Sequence, residues 1–402
     1  MKKSTIYEIV IYIYVGWLII CSGSQYFRNF NSGFTFFVLL LLAGITFFLN
    51  GKVTKSNIIV FMSICLLLVV HTVITYEQKI GDNAVILLIT LVALLVLCSN
   101  VSLEKYKKYF ISFMFVEAIV SLICFCVCWF YSPSVLPGYS EVFINYTNGY
   151  NIVYLTPYYT IGWLSTAGFF YRNAGIFWEP GAHAIYLNIA LLFFFNIVDL
   201  KKSTFTDKVK LVVLVGGILS TLSTTGYVTL VLSFIYYTTK SKKLKDMRRN
   251  IIIIIITLSF LIITALYGDV FDKIIYRRGS FGTRYIDTVQ GMKVAFSKWV
   301  FGYGFFNNNK IVGALNHVGI TNISNGLIEL MIQIGVPLVL LYVYAFHRGV
   351  KRVFSVNNLG CFILDVIFLI FYNSEAITMY PVFLCFFFFL SKCTGRTTIT
   401  SS

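Results

Sequence analysis

A chain of 402 residues that is 58% hydrophobic and only 12% charged carries more apolar surface than one soluble core can hide. That excludes a soluble globular enzyme. The net charge of +16 does not require nucleic acid, because a basic membrane protein uses Lys and Arg to hold its loops on the cytoplasmic side.

Apolar runs of about 20 residues, each enough to cross roughly 30 Å of hydrocarbon as a helix, recur from end to end. Twelve spans are predicted, near 5–22, 33–50, 56–75, 83–99, 109–131, 181–198, 209–222, 226–239, 250–267, 324–346, 358–372 and 377–391. The first follows Lys2 and Lys3 without a small-residue cleavage site and is expected to stay as an anchor. With Met1 inside, the cytoplasmic segments carry 22 of the 32 Lys and Arg, so both termini are expected to be cytoplasmic. The nine cysteines imply no disulfide, and Cys124, Cys126 and Cys128 read as packing. One integral membrane domain over 1–402 is expected, without a separate soluble unit.

Two connections are long, 132–180 and 268–323, and both fall outside on this topology. The first is rich in tyrosine, which suits either an interfacial belt or a sugar-stacking surface. It ends in "YRNAGIFWEPGAHA", where Arg172 is its only cation and Glu179 precedes Pro180 at the start of the sixth span. A helix N-terminus with an arginine beside it suits a phosphate, whereas an Arg172–Glu179 salt bridge is the structural alternative. His183, one turn on, could meet Glu179, although packing is the simpler role.

Between the seventh and eighth spans, "STLSTTGYVTL" forms a tight polar turn on the same side. The second long connection gathers cations, among them Arg277, Arg278 and Arg284, and its stretch "GTRYIDTVQGMKVAFSKWVFGYG" has the period of an amphipathic helix lying along the membrane surface. It continues through His317, either a base or a surface residue, to Ser324 or Asn325 as the cap of the tenth span. Glu329 lies one turn below Asn325, where a carboxylate is costly unless paired or facing a cavity. No P-loop, metal-binding spacing or haem motif occurs.

The stretches "RNAGIFWEPG", "STLSTTGY", "GTRYIDTVQGMKVAFSKWVFGYG" and "SNGLIELMIQIGVP", with the hydropathy plan, resemble the bacterial O-antigen and capsule repeat-unit polymerases of the Wzy type. These belong to a superfamily that includes the O-antigen ligases. The resemblance covers most of 165–345 by motif and the rest by hydropathy. It implies an all-α polytopic membrane protein, GT-C-like, with about 12 transmembrane helices and two large extracytoplasmic loops carrying short interfacial helices. It also implies a metal-independent glycosyltransferase without cofactor, acting on undecaprenyl-pyrophosphate-linked oligosaccharide at the outer face of the bacterial cytoplasmic membrane. Membrane lipids, a chain-length regulator and a flippase would be its partners, and nucleic acid would not.

Arg172 and Arg284, with Arg277, Arg278, Ser324 and Asn325, would then bind pyrophosphate and sugar. Glu179 or His317 would orient or deprotonate the acceptor hydroxyl. The sequence departs from the ligases in having Ser324 before Asn325 where they tend to have histidine, with His317 seven residues upstream. The rival class is a lipid-linked oligosaccharide transporter, for which helix breaks and charges near the midplane would be expected. A structural or regulatory membrane protein is the third.

Overall fold

A computed structural model describes residues 3–24, 32–75, 82–130, 150–153, 156–160, 171–239 and 280–389. The predicted ninth span, Arg277, Arg278 and much of the first long connection lie outside them. The described chain runs α1 (Lys3–Ile20), α2 (Ser32–Asn50), α3 (Lys55–Ile74), α4 (Asp82–Asn100), α5 (Leu103–Phe130), β1 (Tyr150–Val153), β2 (Thr156–Thr160), β3 (Tyr171–Asn173), α6 (Pro180–Ile197), α7 (Phe205–Ser220) and α8 (Thr224–Thr239). After 280 come α9 (Ser280–Ser297), α10 (Asn308–His317), α11 (Gly326–Ile334), α12 (Val336–Phe354), α13 (Asn358–Ser374) and α14 (Pro381–Phe389).

The described residues are therefore almost entirely helical. Gly33–Asn50, Lys55–Ile74, Leu103–Cys126 and Pro180–Ile197 are long and apolar enough to cross a membrane, and Ser4–Ile20, Ala84–Asn100 and Asn358–Ser374 are shorter apolar helices.

The surface is apolar as well as the core. Phe34, Phe37, Phe48, Ile59, Leu66 and Val73 on α2 and α3 are exposed, which suits hydrocarbon rather than water. By contrast α6, which is apolar on every side, is buried almost throughout and packs against α5, α7 and α8. The phenylalanine-rich α14 is a second central rod, packed by α1, α3, α4 and α12.

The ends of the helices sort by charge. Tyr7 donates to Asn100 O, Asn100 donates to Lys52 O, and the buried Lys107 ammonium reaches Asn196 Oδ1 and Val353 O. These contacts gather the connections bearing Lys52 and Lys202 and the helix ends bearing Lys105 and Lys351 at one end. At the other, His71 Nε2 lies 2.8 Å from the carbonyl of Phe301, and Tyr186 hydroxyl donates to Ser22 O. Lys107 corrects the expected loop: α5 begins at Leu103, so "LEKYKK" forms its first turns.

The strands make a small antiparallel sheet, with Tyr159 opposite Arg172 and Tyr158 opposite Asn173. The described part of the second long connection, from 280, carries two helices, because α9 and α10 close a small apolar core with α11 around Val294, Leu315, Ile328 and Ile332. The amphipathic period of α9 is thus satisfied by α11.

The predicted tenth span is two helices, which corrects the expectation of one helix over 324–346. Gly335 separates α11 from α12 with φ +83°, and a Cβ there would stand 2.2 Å from the carbonyl oxygen of Val300. Val336 N donates to Trp299 O at 2.7 Å, and Pro337 lies in the first turn of α12. Gly335→Ala is expected to destabilise the protein by about 2 kcal/mol or more, through left-handed strain and the clash. Gly313→Ala, where a Cβ meets nothing within 4 Å, should leave the thermal midpoint in detergent unchanged or raised.

Candidate functional site

A non-helical segment entering a bundle of this kind must satisfy its own backbone polar groups. The segment 171–179 does so through Asn173. Its Nδ2 donates to Ser121 Oγ at 3.1 Å and to Ser220 Oγ at 2.9 Å, while its Oδ1 accepts from Gly175 N at 2.9 Å. Gly175 has φ +53°, and a Cβ there would lie 2.1 Å from Glu117 Oε1, so the position needs glycine for both conformation and space. Phe177 stacks on Tyr186, with ring centroids 4.3 Å apart, which seats the segment against α6.

Under this segment is a buried pair. His183 Nε2 lies 2.8 Å from Glu117 Oε2, with the side chains 0% and 5% exposed. Glu117 Oε1 accepts from Ile176 N, and His183 Nδ1 lies 3.3 Å from Asn173 O. The ring thus has an oxygen partner beside each of its nitrogens. Glu117 and His183 therefore tie α5, α6 and the segment together.

The charged cluster lies where three helix ends meet. Pro180 starts α6 after Glu179, whose side chain makes no cap hydrogen bond, so the α6 N-terminus is left without a side-chain cap. Glu375 closes α13 as its C-cap, and α11 begins at Gly326, where a Cβ would stand 2.8 Å from Glu375 O. Arg284, from the first turns of α9, donates from Nη2 to Glu375 Oε1 at 2.9 Å and stands 3.6 Å from Glu179 Oε1. Glu179 Oε1 is buried and has no hydrogen-bond partner. Gly181 admits this arrangement, since a Cβ there would be 2.9 Å from Glu375 Oε1 and 3.2 Å from Glu179 Oε1. Two carboxylates over one guanidinium leave the trio with excess negative charge, and the Arg284 side chain, 33% exposed, is its open side.

Of the residues expected at a site, Glu179 and Arg284 come together. Asn325 and Ser324 are beside them but engaged: Asn325 Oδ1 caps α11 through Leu327 N and Ile328 N, and Ser324 donates to Asp287 Oδ2 at 3.1 Å. Arg172 instead turns to the polar α7–α8 connection, where its Nε donates to Thr221 O at 3.0 Å. Two pairings that the sequence offered as alternatives are not made. The ion-pair partner of Glu179 is Arg284 rather than Arg172, and His183 pairs with Glu117 rather than Glu179. His317 is exposed at the C-terminal end of α10, apart from the cluster's hydrogen bonds and ion pairs.

Sequence reasoning missed Glu375, and its weighting of His183 towards packing set aside the Glu117 pairing. The available signal for Glu375 was an acidic residue in a short connection between two strongly apolar runs. With the geometry in place, comparison against protein-family models and against curated proteins finds no match.

Proposed function

We propose that this membrane protein polymerises lipid-linked oligosaccharide repeats at the outer face of the cytoplasmic membrane, with pyrophosphate as leaving group. The observation that carries the reading is the meeting of Arg284, Glu179, Glu375 and the α6 N-terminus at the end of the bundle opposite its basic connections. On the positive-inside pattern that end faces outward. The twelve-span count, the cytoplasmic termini and the GT-C-like plan belong to the same proposal, as do the lipid, chain-length-regulator and flippase partners.

In this reaction a hydroxyl of the incoming repeat attacks the anomeric carbon at the reducing end of the growing chain. The carbon–oxygen bond to undecaprenyl pyrophosphate breaks, and the hydroxyl proton passes to a carboxylate. Glu179 suits that role because its Oε1 is a buried acceptor with no hydrogen bond to lose. Arg284 and the α6 N-terminus favour the charge gained by the departing pyrophosphate. Because Arg284 already faces two carboxylates, further cations are needed, and Arg172, Arg277 and Arg278 fill that part of the proposal. His317 is the less favoured base, standing outside the cluster.

One observation favours the transporter reading: the break at Gly335 makes a discontinuous helix, a feature on which many transporters build their sites. A deletion strain separates the readings. Single repeats on the surface are expected for a polymerase, loss of all surface repeats indicates a flippase, and full-length polymer retained on lipid indicates a ligase. Arg284→Ala at matched expression should reproduce the deletion phenotype, and full-length ladders would reject the site.

A further inference from the structure

We propose that His347, Cys361 and Asp365 form a zinc site at the other end of the bundle, between α12 and α13. Their donor atoms converge. His347 Nδ1 lies 2.8 Å from Asp365 Oδ2, and Cys361 Sγ lies 3.8 Å from that nitrogen and 3.9 Å from that oxygen.

Zinc bonds of about 2.0 Å to nitrogen and oxygen and 2.3 Å to sulfur, at tetrahedral angles, place such donors roughly 3.3 Å apart for N and O and 3.5 Å for S with either. The observed triangle is within about half an ångström of one face of that tetrahedron. Cys361 and Asp365, four residues apart on α13, share a helix face, and His347 comes across from α12. The fourth position opens towards a groove of about 310 Å³ lined by Tyr344, Phe368 and Tyr372 beside His347 and Asp365.

Charge supports the assignment. A divalent zinc held by one thiolate, one carboxylate and a neutral imidazole is neutral overall, which suits a partly buried site in the first two turns of α13. Bound through Nδ1, a neutral imidazole keeps its single proton on Nε2, and the thiol proton of Cys361 leaves to solvent, so protons balance and no electron moves. Of the cations that follow His347 on α12, Arg348 donates to Tyr344 hydroxyl at 3.2 Å, while Lys351 donates to Asn358 Oδ1 at 3.3 Å and its charge favours the Cys361 thiolate that zinc requires. The zinc would staple α12 to α13.

The test uses the full chain purified in detergent. Elemental analysis should find about one zinc per chain, and cobalt substitution should give the thiolate-to-cobalt charge-transfer absorption. Cys361→Ser, nearly isosteric, should lose that absorption and bind zinc on the order of 100-fold more weakly, and Asp365→Asn should also weaken binding. A wild type that takes up no zinc overturns the proposal, leaving an ion pair with a thiol beside it. Equal zinc content and identical cobalt spectra in wild type and Cys361→Ser overturn it as well.

Discussion

Glu179→Gln is expected to lower repeat-unit transfer by on the order of 100-fold or more with the protein still folded. The amide keeps the side-chain volume, and since Glu179 makes no side-chain cap hydrogen bond, the start of α6 loses none. What is lost is a carboxylate able to take the acceptor proton, at a buried oxygen that has no hydrogen-bond partner. Glu375→Gln is the informative contrast. Its carboxylate holds Arg284 at 2.9 Å and is 7% exposed, so its removal should loosen Arg284 and reduce transfer less steeply. Glycan ladders at matched expression read both variants, and a full-length ladder from Glu179→Gln would remove the residue from the proposed chemistry.

The second large effect concerns stability. Glu117→Ala should cost about 3 to 5 kcal/mol, because it strands His183, whose side chain is 0% exposed, and leaves Ile176 N without its acceptor. The same substitution frees the segment carrying Arg172 and Glu179, so residual folded protein should also transfer poorly. Lys105→Ala provides the comparison: its ion pair with Glu8 has partners 51% and 41% exposed and should contribute no more than about 1 kcal/mol. Thermal unfolding in one detergent measures both, and equal midpoints would show that the buried pair is not the tie proposed.

The legible parts of the fold are those governed by local rules. Pro180 after Glu179 marked the beginning of α6, Asn325 marked that of α11, and "STLSTTGY" marked the turn that receives Asn173 and Arg172. The break at Gly335 was less legible, because a glycine inside an apolar run reads as tolerated until Val300 and Trp299 are seen packed against it. The clustering of charge was least legible. Arg172 and Glu179 are close in sequence but turn to different elements, whereas Arg284 meets Glu375 across 91 positions.

The sequence by itself determined that the chain is largely helical and that several of its helices are apolar enough to cross a membrane. Composition and a periodicity of a few residues suffice for each of these. The tertiary structure alone decided which carboxylate faces Arg284, that His183 is held by Glu117, and that a histidine of α12 meets a cysteine and an aspartate of α13. The physical reason is that a buried charge must find a partner wherever packing brings one within reach. In a bundle of long helices, that partner is set by which helices adjoin and at what depth, which spacing along the chain does not encode.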